Sequence, residues 1–274
     1  METTPTGEQL QHLRNELARH VVGQTRVVER LVVALVANGH CLLEGVPGVG
    51  KTMMTSTLAR MVGGTFSRIQ FTPDLLPADI VGTRIYRASR ESFDIELGPV
   101  FANFVLADEI NRAPAKVQSA LLEVMAERQV SIGGVTTKLE PPFMVLATQN
   151  PIEQEGVYTL PEAQRDRFLM RVPVDYPTPR EEAEIARRSS LPAEPVREFL
   201  SLPRLREIQN EAAALPVPEA VADYAVRLVV ATRDPRSFGF DSLDGWLSFG
   251  ASPRATLGLL SAGRAMALMR GHST

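Results

Sequence analysis

The chain has 274 residues, of which 44% are hydrophobic and 22% are charged, with a formal net charge of −3. This length exceeds one typical domain, and the charge balance argues against nucleic acid as the main partner, because such binding usually depends on a basic surface. No apolar run approaches the roughly 20 residues of a membrane-spanning helix, and the single cysteine, Cys41, excludes an internal disulfide. We therefore expect a soluble cytoplasmic protein.

The first 20 residues place Glu8, Arg14, Glu16 and Arg19 among apolar positions, which predicts an amphipathic helix and not a signal peptide. From about residue 39 to 174, apolar strand-like runs alternate with helical patterns. This alternation is typical of a parallel sheet covered on both faces. The predicted strands are residues 40–43, 66–71, 104–107, 143–148 and 168–173.

The first predicted strand leads into the sequence GVPGVGKT at residues 45–52. This run fits G-x-x-x-x-G-K-[ST], the loop that wraps the phosphates of a nucleotide, although a glycine-rich turn before a helix can also be purely structural. Its glycines allow tight turns that point backbone N–H groups at phosphate oxygens. Lys51 can reach the β- and γ-phosphates, and the Thr52 hydroxyl can take one Mg²⁺ position. The expected nucleotide contacts in this segment are Gly45, Val46, Pro47, Gly48, Val49, Gly50, Lys51, Thr52 and Met53.

Two later strands end in side chains that suit the same chemistry. The strand at 104–107 is followed by Asp108, which would hold Mg²⁺ through its water shell, and by Glu109, which would orient and deprotonate the attacking water. The strand at 143–148 leads to Asn150, whose amide could help to position that water. Asn before Pro is also a frequent turn pair, so the spacing alone leaves catalysis and a turn as equal alternatives.

Two short segments interrupt the alternation. Residues 80–96 and 129–140 each predict two short strands around a turn, the second through Gly133 and Gly134. A minimal nucleotide-binding domain does not need them, so they are either surface decoration or hairpins that contact a substrate.

The second half of the chain is different in character. After a linker near residues 176–179 the sequence predicts helices only, at 180–189, 203–214, 218–233 and 253–270. We therefore predict an α/β nucleotide-binding domain over residues 1–176 and a small helical domain over residues 180–274.

Three arginines are candidates for contact with a phosphate. A helix carrying Arg165 and Arg167 would separate them by about 200°, so that at most one can point at a given phosphate. An arginine donated to the γ-phosphate of a neighbouring subunit is worth roughly 10³–10⁵ in turnover. Arg254 lies in the first turn of a helix with Ser252 as its N-cap, where a cation is unfavourable and suggests a recruited phosphate. A surface arginine that is paired with a carboxylate or solvated remains the alternative.

Taken together, these segments resemble the MoxR family of AAA+ ATPases, and the similarity extends from Val21 to about Arg270. The resemblance implies an AAA+ P-loop NTPase core, in which a parallel five-stranded sheet is sandwiched by helices, followed by a small all-helical lid. Its most specific stretches are GVPGVGKT (45–52), FTPDLLPADIVG (71–82), GPVFANFVLADEINRAP (98–114), ATQNPIEQEG (147–156), LPEAQRDRF (160–168) and GASPRA (250–255).

The resemblance also implies roles for single residues. Gln70 could couple substrate binding to Glu109, and the two hairpins match the helix-2 insert and pre-sensor-1 hairpins, which point into the pore of related ring ATPases. The implied roles are Walker A for residues 45–52, Walker B for Asp108 and Glu109, sensor 1 for Asn150, arginine finger for Arg167, sensor 2 for Arg254, and adenine contacts for Val22, Gly23 and Gln24.

For the whole protein the resemblance implies a hexameric, chaperone-like ATPase that uses ATP and Mg²⁺. It also implies a client protein, a partner with a von Willebrand factor A domain, and an association with metal-cofactor insertion. Two features depart from the family. Arg165 stands where members usually have an apolar residue, so either Arg165 or Arg167 could be the finger. The chain stops at Thr274, where members continue for several helical elements, which indicates either a truncated chain or a short lid.

Two other functions compete with a remodelling ATPase. A nucleic-acid motor is disfavoured because the chain has no basic bias and its hairpins contain only Tyr86 and Phe93 as stacking aromatics. A non-hydrolysing nucleotide switch is disfavoured because a pure switch does not need a positioned base such as Glu109. Nothing in the sequence identifies the client.

Overall fold

The computed structural model describes residues 4–46, 48–89, 91–150, 158–190, 192, 194–243 and 245–272. The helices are α1 (Pro5–His20), α2 (Thr25–Val36), α3 (Lys51–Met61), α4 (Pro77–Val81), α5 (Ala115–Glu127), α6 (Glu162–Arg165), α7 (Pro179–Ser189), α8 (Leu202–Ala214), α9 (Glu219–Ala231) and α10 (Pro253–Met269). The strands are β1 (Cys41–Gly45), β2 (Phe66–Gln70), β3 (Gly82–Arg87), β4 (Ser92–Leu97), β5 (Phe104–Asp108), β6 (Gln129–Ile132), β7 (Val135–Lys138), β8 (Met144–Gln149) and β9 (Met170–Val174).

Five parallel strands form the central sheet in the order β2-β5-β8-β1-β9. Each lies within two residues of a strand predicted from an apolar run, and the predicted α/β fold is confirmed. The carboxyl ends of parallel strands meet at one edge of a sheet, which is where open α/β sheets bind ligands. This topology therefore brings together the chain segments that follow β1, β5 and β8.

Both faces of the sheet are buried, which explains why the core strands are continuously apolar. Successive side chains of a strand point to opposite faces, so Phe104 and Leu106 pack into one core while Val105 and Ala107 pack into the other. The first core is closed by residues of α1, α2, α3, α8 and α10. The second is closed mainly by α5, together with residues of the β6–β7 segment and the loop before β5.

The two segments that interrupt the alternation form antiparallel hairpins, β3–β4 and β6–β7. The guanidinium of Arg84 lies 4.1 Å from the ring centroid of Phe93, and the rings of Tyr86 and Phe93 are 5.1 Å apart. A Cβ atom on Gly133 would lie only 2.7 Å from Cδ of Arg84, so the first hairpin packs directly against the turn of the second.

The helices after β9 agree with the predicted ones to within two residues at each end. Thr178 caps α7 by accepting from the N–H of Glu181, and Ser252 caps α10 by accepting from the N–H of Arg254. Helix α10 packs against α1 and α2 as well as α8 and α9. The division of the chain into two domains stays a prediction.

One local prediction is wrong. Helix α6 ends at Arg165, and Asp166 and Arg167 follow in a turn. The helical separation expected between Arg165 and Arg167 therefore does not apply, since Arg167 lies in the turn that leads to β9 at Met170. Among the described residues, no helix is long and apolar enough to cross a membrane.

Candidate active site

The loop between β1 and α3 has the backbone geometry that its glycines predict. Gly48 and Gly50 have φ angles of +83° and +80°, in the left-handed region that glycine enters at little cost. Gly50 is also the N-cap of α3 and offers no side-chain acceptor. The first N–H of α3 with an acceptor inside the helix is that of Met54, which donates to the Gly50 carbonyl at 2.9 Å. The helix therefore starts with open N–H groups, which favour an anion. Pro47 lies outside the described residues.

Gly45 is required by close packing. It pairs with Val174 of β9, and a Cβ atom at this position would lie 2.2 Å from the Val174 carbonyl oxygen. This close approach fixes the point at which the loop leaves the sheet. Glycine is therefore needed at position 45 so that the loop backbone can take this position.

Lys51 extends across the mouth of the loop. Its Nζ donates to the Gly45 carbonyl oxygen at 2.8 Å. Burial lowers the pKa of the Lys51 ammonium, and the nearby carboxylates of Asp108 and Glu109 oppose this shift. The cation is thus held beside open N–H groups, in the position where the loop would receive phosphate oxygens.

Asp108, the last residue of β5, has both carboxylate oxygens engaged. Its Oδ1 accepts from the Thr148 hydroxyl at 2.6 Å. Its Oδ2 accepts from Nη2 and Nε of Arg68 at 2.6 and 3.1 Å. The side chain of Asp108 is only 14% exposed, so the ion pair stands at the wall of the cleft.

Glu109 has an unusual backbone conformation, with φ +57° and ψ +49°. For a residue other than glycine this left-handed conformation costs about 1–2 kcal/mol, and its N–H donates to the Thr148 hydroxyl at 2.8 Å. Its Oε2 accepts from Gln70 at 2.8 Å and lies 3.0 Å from Nε of Arg112. The carboxylate that would act as a base is therefore held by two donors.

A cleft of about 460 Å³ is lined by the predicted catalytic and metal-binding residues Lys51, Thr52, Asp108, Glu109 and Asn150. Asn150, which is buried at the end of the central strand β8, lies in this cleft with the loop and the two acidic residues. Arg68 also lines it, although the sequence analysis did not select that residue. The lining residues are Gly48, Gly50, Lys51, Thr52, Met53, Arg68, Asp108, Glu109 and Asn150.

Sequence reasoning missed Arg68, Arg112 and Thr148. For Arg68 a signal was present, because a charged residue two positions before Gln70 in a strand shares a face with it. Thr148 differs from its apolar neighbours in β8, but only the alignment of β8 beside β5 shows what its hydroxyl contacts.

The predicted adenine segment lies outside the lining of this cleft. Gln24 is buried and donates to the Asp175 carbonyl at 3.0 Å. Gly23 has a φ angle of +81° and packs closely against Glu181. The turn between α1 and α2 is thus attached to the connection between β9 and α7.

Arg167 and Arg254 line a second cleft, of about 920 Å³. Asp166 Oδ1 accepts from the Ser252 hydroxyl at 2.7 Å, and its Oδ2 lies 3.9 Å from the guanidinium of Arg254. The structure therefore provides Asp166 as a partner for the cation at the start of α10. It also joins the turn that carries Arg167 to that helix.

Arg165 differs from Arg167 in its contacts. Its guanidinium pairs with Glu162 at 3.1 Å and donates to the Leu160 carbonyl at 3.0 Å. The backbone N–H of Arg167 donates to the Gln164 carbonyl oxygen at 3.2 Å, whereas its side chain has no hydrogen bond or ion pair with the described residues. The surface ion pair considered from the sequence is thus present at Arg165.

Known proteins share this sequence and fold. The family model for "ATPase family associated with various cellular activities (AAA)" matches residues 40–170. The chain is 60% identical over 257 residues to Chaperone MoxR1 of Mycobacterium tuberculosis, covering 94% of this chain and 68% of that protein. It is 33% identical over 284 residues to Protein MoxR of Methylorubrum extorquens, covering 94% and 79%.

Structural similarity agrees with the sequence matches. A crystal structure from Cytophaga hutchinsonii, of a protein assigned as an ATPase, superimposes with a TM-score of 0.91 and 45% identity, covering 98% of this chain and 82% of that one. These matches extend over nearly the whole chain. The chain belongs to the MoxR family of AAA ATPases, a family in which membership implies ATP hydrolysis.

Proposed function

We propose that this protein hydrolyses ATP with Mg²⁺ at an active site shared between the subunits of a hexameric ring, and uses the cycle to remodel client proteins. The observation that carries the proposal is the division of the functional residues between two clefts. Lys51, Thr52, Asp108 and Glu109 line the smaller cleft, whereas Arg167 lines the larger.

In the smaller cleft, the open N–H groups at the start of α3 and the Lys51 ammonium bind the phosphates. Mg²⁺ fits the donors that are present, because the Thr52 hydroxyl and the Asp108 carboxylate are the oxygen ligands it prefers. The described residues contain no cluster of three or more His, Cys, Asp or Glu side chains that could hold a metal. A metal here would therefore depend on phosphate and water oxygens as well. When bound, Mg²⁺ neutralises negative charge on the β- and γ-phosphate oxygens.

Glu109 is the general base of the proposal. It accepts the proton of the attacking water, which Asn150 helps to orient from the neighbouring strand end. In this structure Gln70 and Arg112 both hold the Glu109 carboxylate, so hydrolysis requires that this restraint be loosened. Gln70 is the last residue of β2, and α4 and the first hairpin follow it, which supports a route from client binding to the base.

Arg167 is the proposed arginine finger, and Arg254 the proposed sensor 2. Both line the larger cleft, which supports their action on the nucleotide of a neighbouring subunit. An arginine finger donated by a neighbouring subunit raises the turnover rate by roughly 10³–10⁵, which corresponds to about 4–7 kcal/mol of the activation barrier. Arg165 is occupied by Glu162 and the Leu160 carbonyl, which favours Arg167 for the role.

The hairpins are the proposed client contacts. Tyr86 and Phe93 are 53% and 55% exposed on the first hairpin, and Arg84 joins that hairpin to the second. The mycobacterial relative is named as a chaperone, which supports a remodelling activity. A von Willebrand factor A domain partner and metal-cofactor insertion are proposed from the family resemblance alone, and nucleic acid is not proposed as a ligand.

Steady-state hydrolysis of Mg·ATP by Glu109→Gln tests the proposal. Loss of a general base typically costs 10²–10⁴ in rate, so we expect a decrease of at least about 100-fold. Binding of a fluorescent ATP analogue should be retained, because the phosphate loop is unchanged. Glu123→Gln, on the exposed face of α5, is the matched control and should hydrolyse ATP like the wild type. A Glu109→Gln protein that hydrolyses ATP at the wild-type rate would contradict the mechanism.

A further inference from the structure

Four side chains form one continuous hydrogen-bonded chain along the wall of the smaller cleft. Arg68 donates to Asp108 Oδ2 at 2.6 and 3.1 Å. The same Nη2 atom donates to Gln70 Oε1 at 2.7 Å. Gln70 in turn donates through Nε2 to Glu109 Oε2 at 2.8 Å. The residue proposed to hold the metal and the residue proposed as the base are therefore linked through Arg68 and Gln70.

The sheet register fixes this arrangement. Arg68 and Gln70 are two positions apart in β2, so their side chains lie on the same face. In the pairing of β2 with β5, Gln70 is opposite Asp108, and Arg68 is opposite Leu106. The guanidinium has to reach two residue pairs along the strand to meet the Asp108 carboxylate. The contact is therefore set by the backbone and does not depend on a flexible loop.

The positive charge of Arg68 opposes the binding of a metal ion to Asp108. Asp108 Oδ1 is held by the Thr148 hydroxyl, and Oδ2 is the oxygen that Arg68 holds at the cleft. A divalent cation that approaches Oδ2 would meet the fixed positive charge of a guanidinium within a few ångströms, which is unfavourable in a partly buried site. Arg68 itself is 48% exposed, so its side chain has solvent into which it can move.

We propose that Arg68 is a displaceable cation that occupies the metal-binding carboxylate of Asp108 until Mg²⁺ enters, and that its departure removes the anchor of Gln70. Gln70 then loses the donor that fixes its amide oxygen, and its hold on Glu109 is loosened. Arg68 is thus a positioning residue that connects metal binding to release of the base. This inference rests on the proposed function of the same site.

The test measures metal binding and not turnover. The fluorescent N-methylanthraniloyl derivative of ADP is bound to the full chain, first in EDTA and then with increasing MgCl₂. In Arg68→Gln, the Mg²⁺ concentration at half-saturation should fall about tenfold, because a hydrogen bond to a charged group contributes about that factor. Arg68→Lys keeps the charge and should stay near the wild-type midpoint. Arg187→Gln, which removes an exposed arginine paired with Glu184 in α7, is the matched control and should not shift it.

The link through Gln70 has its own measurement. Gln70→Leu removes the acceptor that anchors Arg68, so it should lower the Mg²⁺ midpoint in the same direction as Arg68→Gln but by less. The double variant should match Arg68→Gln, since the two residues act in one chain. Additive shifts would overturn the coupling.

Three results would overturn the inference as a whole. One is an unchanged or raised Mg²⁺ midpoint in Arg68→Gln. Another is that Arg68→Gln no longer binds the fluorescent ADP derivative in EDTA, which would make Arg68 a direct phosphate ligand. The third is a wild-type protein whose nucleotide binding does not respond to Mg²⁺. That result would overturn the proposed function as well, so the two failures are distinguishable.

If Arg68→Gln is unstable, Arg68→Ala repeats the test.

Discussion

At the scale of single residues, one hydroxyl contacts both acidic residues of the site. Thr148 is 1% exposed, donates to Asp108 Oδ1 and accepts from the backbone N–H of Glu109. The second bond supports the left-handed backbone of Glu109, which would otherwise be a source of strain. Thr148 is therefore important for the position of the carboxylates although it does not line the cleft.

Thr148→Val tests this role, because valine keeps the shape of threonine and removes the hydroxyl. Leaving buried polar groups without a partner costs about 1–3 kcal/mol, and we expect that decrease in the free energy of unfolding measured in urea. Mg²⁺-dependent nucleotide binding should also weaken, since Asp108 loses its fixed orientation. Thr148→Ser keeps the hydroxyl and should retain the binding. Wild-type stability and binding in the valine variant would contradict the assignment.

The site residues that could be predicted are those that a local sequence pattern defines. Lys51 and Thr52 are defined by a short pattern, and Asp108 by its position at the end of an apolar strand. Arg68 and Thr148 act only through contacts between strands that are distant in sequence, and a single sequence does not determine that register. The sequence located the cleft but not the network that holds its carboxylates.

At the scale of elements, His40 joins three of them. Its Nδ1 accepts from the N–H of Val145 in β8 at 2.9 Å, and its Nε2 lies 3.3 Å from the carbonyl of Met125 in α5, to which it donates in this tautomer. His40 directly precedes β1, and its ring is buried. Burial, with a smaller contribution from Arg128, lowers the pKa of His40 from 6.5 to about 4.

The lowered pKa predicts a loss of stability in mild acid. Between pH 6.5 and about 4 the unfolded chain binds a proton that the folded chain excludes, so stability falls as the pH falls through this window. The His40 contribution should make the protein about 2 kcal/mol less stable at about pH 5 than at about pH 7. Urea unfolding at both pH values measures it. His40→Asn should lose this part of the pH dependence, and an equally steep dependence in the variant would contradict the assignment.

At this scale, the sequence predicted the strands well where several consecutive residues are buried and apolar. The three inner strands β1, β5 and β8 are largely apolar because both of their faces are covered, and this pattern appears in each of them. The prediction failed at α6, where the chain leaves the helix at Arg165 to enter β9. A helix of four residues has too little periodicity to reveal its end, and here the end decides where Arg167 points.

At the scale of the whole molecule, the important feature is that two incomplete sets of residues line separate clefts. The smaller cleft holds the phosphate loop and Glu109, and the larger holds Arg167 and Arg254. Asp166 connects the Arg167 turn to the start of α10 through Ser252, so movement of the C-terminal helices would move both arginines together. In a ring built from one repeated head-to-tail interface, the arginines of one subunit would face the nucleotide of the next.

The central claim, a site completed by a neighbouring subunit, is tested most directly by mixing two inactive variants. Arg167→Ala keeps the base but lacks the finger, and Glu109→Gln keeps the finger but lacks the base. Each should hydrolyse Mg·ATP very slowly alone, while an equimolar mixture should recover about a quarter of the wild-type rate if subunits assemble at random around a ring. Mixing Arg167→Ala with the double variant should recover nothing. Full activity of Arg167→Ala alone, or no recovery in the first mixture, would contradict the account.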